Sequence, residues 1–135
     1  MSTRANLESI ARKWITLWCF PVDWELFDQL HAEQFEDCSS AGRPATKKGF
    51  AQGLATLTRA FPNLQTTVEG LVIDKIKSQV AVMWSSRGTN KTKFLGVGPT
   101  DQLTVITGIE IIEIQDDRIV RRWGEWDITA HADST

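Results

Sequence analysis

The stretch Thr107–Asp127, TGIEIIEIQDDRIVRRWGEWD, decides the fold. An isoleucine-rich strand, a turn at Gln115-Asp116-Asp117 and a tryptophan-bearing return strand spell a long β-hairpin. A two-residue loop would pair Gln115 with Arg118. A three-residue loop, with Asp117 in the left-handed conformation, would pair Ile114 with Arg118. The three-residue register is adopted here, because aspartate tolerates that conformation better than most residues. It sets Ile112 opposite Val120, Glu110 opposite Arg122 and Gly108 opposite Gly124, all on one face with Ile114. That face outlines a pocket wall, with an apolar floor, one opposite-charge pair and two glycines that leave a bend or room for a ligand. The other face carries Ile109, Ile111, Ile119 and Trp123.

Upstream of the hairpin the period is helical. Leu7, Ile10, Trp14, Leu17 and Trp18 form one stripe over Asn6–Trp18, ended by Pro21. Asp23 can cap a second, shorter helix with Trp24, Phe27 and Leu30 inside and His31 also on it. Asp37–Pro44 is a loop by composition. Thr46 caps a third helix whose inner face is Phe50, Leu54, Leu57 and Phe61, with Pro62 as its stop. From Leu64 the pattern alternates through Ile73, turns at Asp74–Ser78 and resumes as a strand over Val80–Thr89.

Helices first and a run of antiparallel strands afterwards give an α+β class, an antiparallel sheet with N-terminal helices packed on one face. The hairpin is apolar on both faces and the helices can cover only one. A second subunit is therefore expected on the outer face, making a homodimer.

At 135 residues the chain is read as one domain, able to bury a core without staples. The net charge of −2, with no basic block, argues against a nucleic-acid partner. No apolar run reaches membrane-span length and Met1–Trp14 lacks a secretory core, so a cytoplasmic location is expected. Cys19 and Cys38 lack metal spacing and read as free thiols. Neither His31 nor His131 has ligand spacing, so no metal and no cofactor is expected.

AFPNL closing a helix, VAVMWSSRGTN on a strand, FLGVGPT in the next loop and DRIVRRWGEWD at the end resemble the SnoaL-like polyketide cyclase family. The resemblance spans about Asn6–Asp127 with spacing intact. It implies the nuclear-transport-factor-2-like superfamily of cystatin-like α+β domains, with N-terminal helices on a strongly curved antiparallel sheet that forms a cone-shaped cavity, a superfamily which holds cyclases, isomerases, dehydratases, hydroxylases and binding modules. It also implies a polar cavity set that this chain has changed. A family Asp-His stands here as Asp37-Cys38, a Gly-Thr-His as Gly88-Thr89-Asn90, and a frequent histidine as Glu110. The returning Glu-His-Trp-Asp stands as Arg121-Arg122-Trp123-Gly124. The family's proton-moving aspartate is thus Gly124, which has no acid to offer.

Glu110 is the base candidate for taking a proton next to a carbonyl, its pKa set by desolvation against Arg122. Its alternative is a cross-strand ion pair that fixes register. Arg122 could also clamp a ligand carboxylate or enolate. Asp127 is the second acid/base candidate, or a strand-end cap. Trp84, Asn90 and Trp126 would line an inner cavity around a planar ligand, or would fill it. Cys38 is a further lining candidate, otherwise an inert thiol. Three functions follow: cofactor-free proton transfer by a cyclase-like or isomerase-like enzyme on an apolar carbonyl compound, non-catalytic binding of a hydrophobic metabolite, or a dimeric interaction protein whose cavity is filled.

Overall fold

The computed structural model describes residues 3–94, 96 and 98–130. Its elements run α1 (Arg4–Ile15), α2 (Trp24–Leu30), β1 (His31–Asp37), α3 (Lys47–Ala60), β2 (Gln65–Asp74), β3 (Gln79–Thr89), β4 (Leu103–Gln115) and β5 (Arg118–Ala130). Each helix starts where a side chain can absorb a free backbone N–H. Thr3 accepts from Asn6, Asp23 from Leu26 and Thr46 from Gly49. All three are helix N-caps of the usual residue types.

The five strands form one sheet in the order β1-β5-β4-β3-β2. Pairing is antiparallel from β2 to β5, but β1 joins β5 in parallel, with Asp37 beside Arg122. Two features of the expected architecture are overturned. The α+β class stands, but the sheet is mixed rather than antiparallel. It is also open, with edges at β1 and β2, and not strongly curved into a cone. The physical reason lies in β1, which alternation does not mark: its burial runs irregularly, and His31 ends α2 only to begin a strand. A strand arriving from the helical third of the chain can meet β5 in parallel, because α3 and three strands intervene before β5.

The hairpin register also differs from expectation. Asp116 and Asp117 both have positive φ, 52° and 64°, which makes a two-residue turn pairing Gln115 with Arg118. A register shift follows between Glu113 and Ile114, so Ile119 faces Ile114 and Arg121 faces Glu113. Val120 is the extra residue of this bulge. Ile119 therefore turns into the core, fully buried, instead of joining Ile109 and Ile111 outside. Beyond the bulge Ile112 faces Arg122, Glu110 faces Gly124 and Gly108 faces Trp126.

Helices cover one sheet face. Leu7, Trp14, Leu54 and Leu57 from the helices meet Val80, Val82, Ile106 and Ile112 from the strands in one core. The opposite face leaves Val72, Met83, Ile109 and Ile111 substantially exposed. Among the described residues no helix is long and apolar enough to cross a membrane.

Candidate functional site

The inner face of β4 and β5 carries a carboxylate with zero exposure, Glu110. Its neighbours explain how a charge is kept there. Arg122 lies diagonally across the hairpin and donates through Nε to Oε1 at 2.7 Å and through Nη2 to Oε2 at 3.3 Å. Trp84, one strand over, donates its indole N–H to Oε2 at 3.3 Å, and Trp126 donates to the same oxygen. Four donors thus converge on one carboxylate. Burial pushes the Glu110 carboxyl above its usual range, while Arg122 and the indoles pull against that rise.

The network continues outward. Arg122 Nη1 donates to Asp37 Oδ1 at 2.9 Å and to the Ser39 carbonyl at 3.2 Å. Parallel pairing of β1 with β5 is what sets Asp37 there. Asp37, also buried, accepts from the Ser39 N–H and from Arg43 Nη2 at 3.1 Å. Burial works against the Arg122 charge, but Glu110 and then Asp37 outweigh it and hold the guanidinium above its ordinary range. The Phe50 ring lies 5.2 Å and the Trp126 ring 5.9 Å from the guanidinium carbon, adding cation–π attraction. Charges therefore alternate from core to surface: Glu110, Arg122, Asp37, Arg43.

Beside this chain of charges lies a pocket of about 610 Å³. Its apolar walls include Trp18, Phe50, Leu54, Phe94 and Trp126, and its polar rim includes Cys38, Ser39 and Arg43. Arg122 and Gly124 also border it. The missing side chain of Gly124 leaves no room for a ligand there. A Cβ on Gly124 would meet the Glu110 carboxylate at 2.5 Å, and would also strike Arg122. At Gly108 a Cβ would meet the Trp84 indole at 2.7 Å. Both spaces are filled from within.

The sequence candidates are thereby sorted. Glu110, Arg122, Trp84 and Trp126 come together, with the indoles serving as donors to Glu110 and crossing edge to face at 5.4 Å between centroids. Trp126 also lines the pocket, whereas Trp84 is not among its lining residues. Cys38 reaches the rim, where partial desolvation and the Glu36 carboxylate push its thiol up and away from reactivity. Asn90 is buried but spent on its own loop: its Oδ1 accepts from Thr100 N–H at 2.7 Å and its Nδ2 donates to the Thr92 carbonyl at 3.0 Å. Asp127 pairs with Thr107 on the other face, exposed, and is not brought to Glu110. His131 lies outside the described residues. His31 is buried in β1, accepting from the Trp14 indole at 3.0 Å and facing the Phe27 carbonyl at 2.8 Å.

Sequence reasoning missed Asp37 as a network member, and Ser39 and Arg43 altogether. The family position Asp37-Cys38 was a usable signal for the first; nothing in the composition of the loop marked the other two. Among the described residues no group of three or more His, Cys, Asp or Glu is placed to hold a metal.

Comparison with known proteins gives the same architecture a family. TsrD from Streptomyces laurentii superposes with a TM-score of 0.82 at 15% identity, covering 94% of this chain and 92% of its own. IdmH from Streptomyces antibioticus gives 0.74 at 24% identity, covering 90% and 91%. A SnoaL-like polyketide cyclase from Agrobacterium tumefaciens gives 0.72 at 20% identity, covering 94% and 93%. Likeness at these identities shows the fold alone. No curated protein sequence matches the chain. The model of the family described as SnoaL-like polyketide cyclase matches residues 8–132, and the chain belongs to that family and to the nuclear-transport-factor-2-like superfamily.

Proposed function

We propose that this protein binds a small, largely apolar molecule in the pocket walled by Trp18, Phe50, Leu54, Phe94 and Trp126. One observation carries the reading: the carboxylate with the best claim to act as a base, Glu110, is unexposed and already accepts from four donors. A general base needs an accessible lone pair directed at the substrate proton, whereas Glu110 is unexposed, with Arg122, Trp84 and Trp126 on Oε2 and Arg122 also on Oε1. Among the described lining residues the only carboxylate is Glu125, which the register pairs with outward-facing Ile109. The pocket itself is of the size and character that suits a drug-sized apolar ligand.

A tryptophan-fluorescence and melting-temperature titration against polycyclic ketones, aryl acids and esters tests this reading. Saturable quenching with a rise in melting temperature is the expected result. No response to any of them removes the pocket as a binding site.

Proton transfer on a carbonyl compound is the second reading, favoured by the upward push that burial gives Glu110. It requires Glu110 to exchange a donor for substrate. Turnover that disappears in Glu110→Gln while ligand affinity survives would establish it; binding with no turnover by the wild type leaves the first. A second copy covering Val72, Ile109 and Ile111 belongs to the same proposal, and sedimentation at micromolar concentration tests it.

A further inference from the structure

One charged donor at the pocket remains unspent once the ion network is accounted for. Arg43 commits Nη2 to Asp37 and Nε to the Ser40 carbonyl at 3.2 Å, while Nη1 has no partner among the described residues. That nitrogen lies over Gly53 of α3, where a Cβ would strike it and would meet Cζ at 2.7 Å. Glycine inside a helix costs stability relative to alanine, and here its bareness seats a guanidinium against the pocket wall.

Resting on the binding function proposed above, we infer that the ligand is an apolar molecule bearing an anionic oxygen, a carboxylate or enolate. Arg43 reads its charge. Arg122 is not the clamp: its guanidinium is divided between Glu110, Asp37 and the Ser39 carbonyl. Arg43 differs in keeping one edge open. Arginine suits the task because its planar fork can hold Asp37 with one nitrogen and a ligand oxygen with another. Because Asp37 neutralises only part of its field, the pocket side of Arg43 favours an anion over a neutral isostere.

The experiment is a matched-pair titration with 2-naphthoate and methyl 2-naphthoate, followed by intrinsic fluorescence and repeated at low and high salt. The wild type should bind the acid at least tenfold more tightly than the ester, with the preference shrinking as salt rises. Arg43→Gln should abolish that preference, chiefly by weakening the acid, and Arg43→Lys should restore part of it. Equal wild-type affinities for acid and ester would overturn this inference and leave the pocket reading intact. Preference retained in a folded Arg43→Gln would assign the anion elsewhere and also overturn it. Binding of neither probe would remove the pocket function, and this inference with it.

Discussion

Phe50 has a charged neighbour on one side and a neutral titratable one on the other. The Arg122 guanidinium sits 5.2 Å from its ring, while the His31 imidazole is 5.6 Å away, edge to face. Both polar groups are buried, and the two solve burial in opposite ways. Arg122 stays charged because two carboxylates and a carbonyl surround it. His31 is caged by Trp14, Phe27, Phe35 and Phe50, with an indole donor on one nitrogen and a carbonyl beside the other. One donor and one acceptor suit the neutral ring, so burial lowers its pKa from 6.5 to about 4 although the Phe27 carbonyl opposes the fall. A buried group keeps its charge only where opposite charges are built around it.

The sharpest way to break this contrast is Arg122→Leu. Leucine fits the apolar surroundings but strands Glu110 and Asp37 without their cation. A loss of about 3–5 kcal/mol in urea unfolding is expected. Adding Glu110→Gln to that variant should recover part of it, because one stranded charge is then gone.

The His31 side is tested by pH. The unfolded imidazole takes a proton below about pH 6.5, whereas the folded one resists until about pH 4. Stability is thus full above pH 6.5, falls as pH drops through that window and levels off below it. The linkage is worth about 3 kcal/mol. Comparing wild type with His31→Gln isolates it from the carboxylates that also titrate at the low end. Identical pH slopes in the two proteins would sink the neutral-cage account.

Gly124→Ala sharpens the charged side with a smaller change. One methyl group must displace the Arg122 and Glu110 side chains from their contact, at about 1–3 kcal/mol by analogy with overpacked cores. Thermal unfolding reads it directly. Gly53→Ala should have the smallest effect, and of the opposite sign. Helix propensity gains about 0.5–1 kcal/mol, while the displaced Arg43 guanidinium should bind anions less well.

The neutral side of Phe50 was largely legible in sequence: Leu7, Ile10, Trp14 and Trp18 repeat at helical spacing, and Thr46 and Asp23 announce the helices that follow. Periodicity reports local geometry, which sufficed for those helices but not for His31, read on the second helix and placed at the start of β1. On the charged side, the pairing of Glu110 with Arg122 came from the hairpin, although the register that suggested it was off. The bulge at Val120 and the bare wall at Gly124 replace direct opposition by a diagonal bond between the same two residues. Asp37 and Arg43 were beyond reach for a different reason. Asp37 acquires its role by lying beside a strand 85 residues further on, and no local pattern encodes a neighbour at that distance. The strand that carries it was equally obscure, since HAEQFED buries positions in no regular period. The cone expected from family resemblance failed on the same element.

That parallel strand also bears on the order in which the molecule assembles. β1 has its place only beside β5, so the helical third of the chain must wait for the last hairpin before its sheet edge can form. Contacts over such separations are slow to find because the loop must close before they reward it. In a chain emerging from a ribosome, Asp37 would be synthesised long before Arg122 exists to neutralise it. Until then the acid and its flanking segment are held in water, and the pocket they border has no rim. The pocket is therefore among the last parts of the protein to come into being.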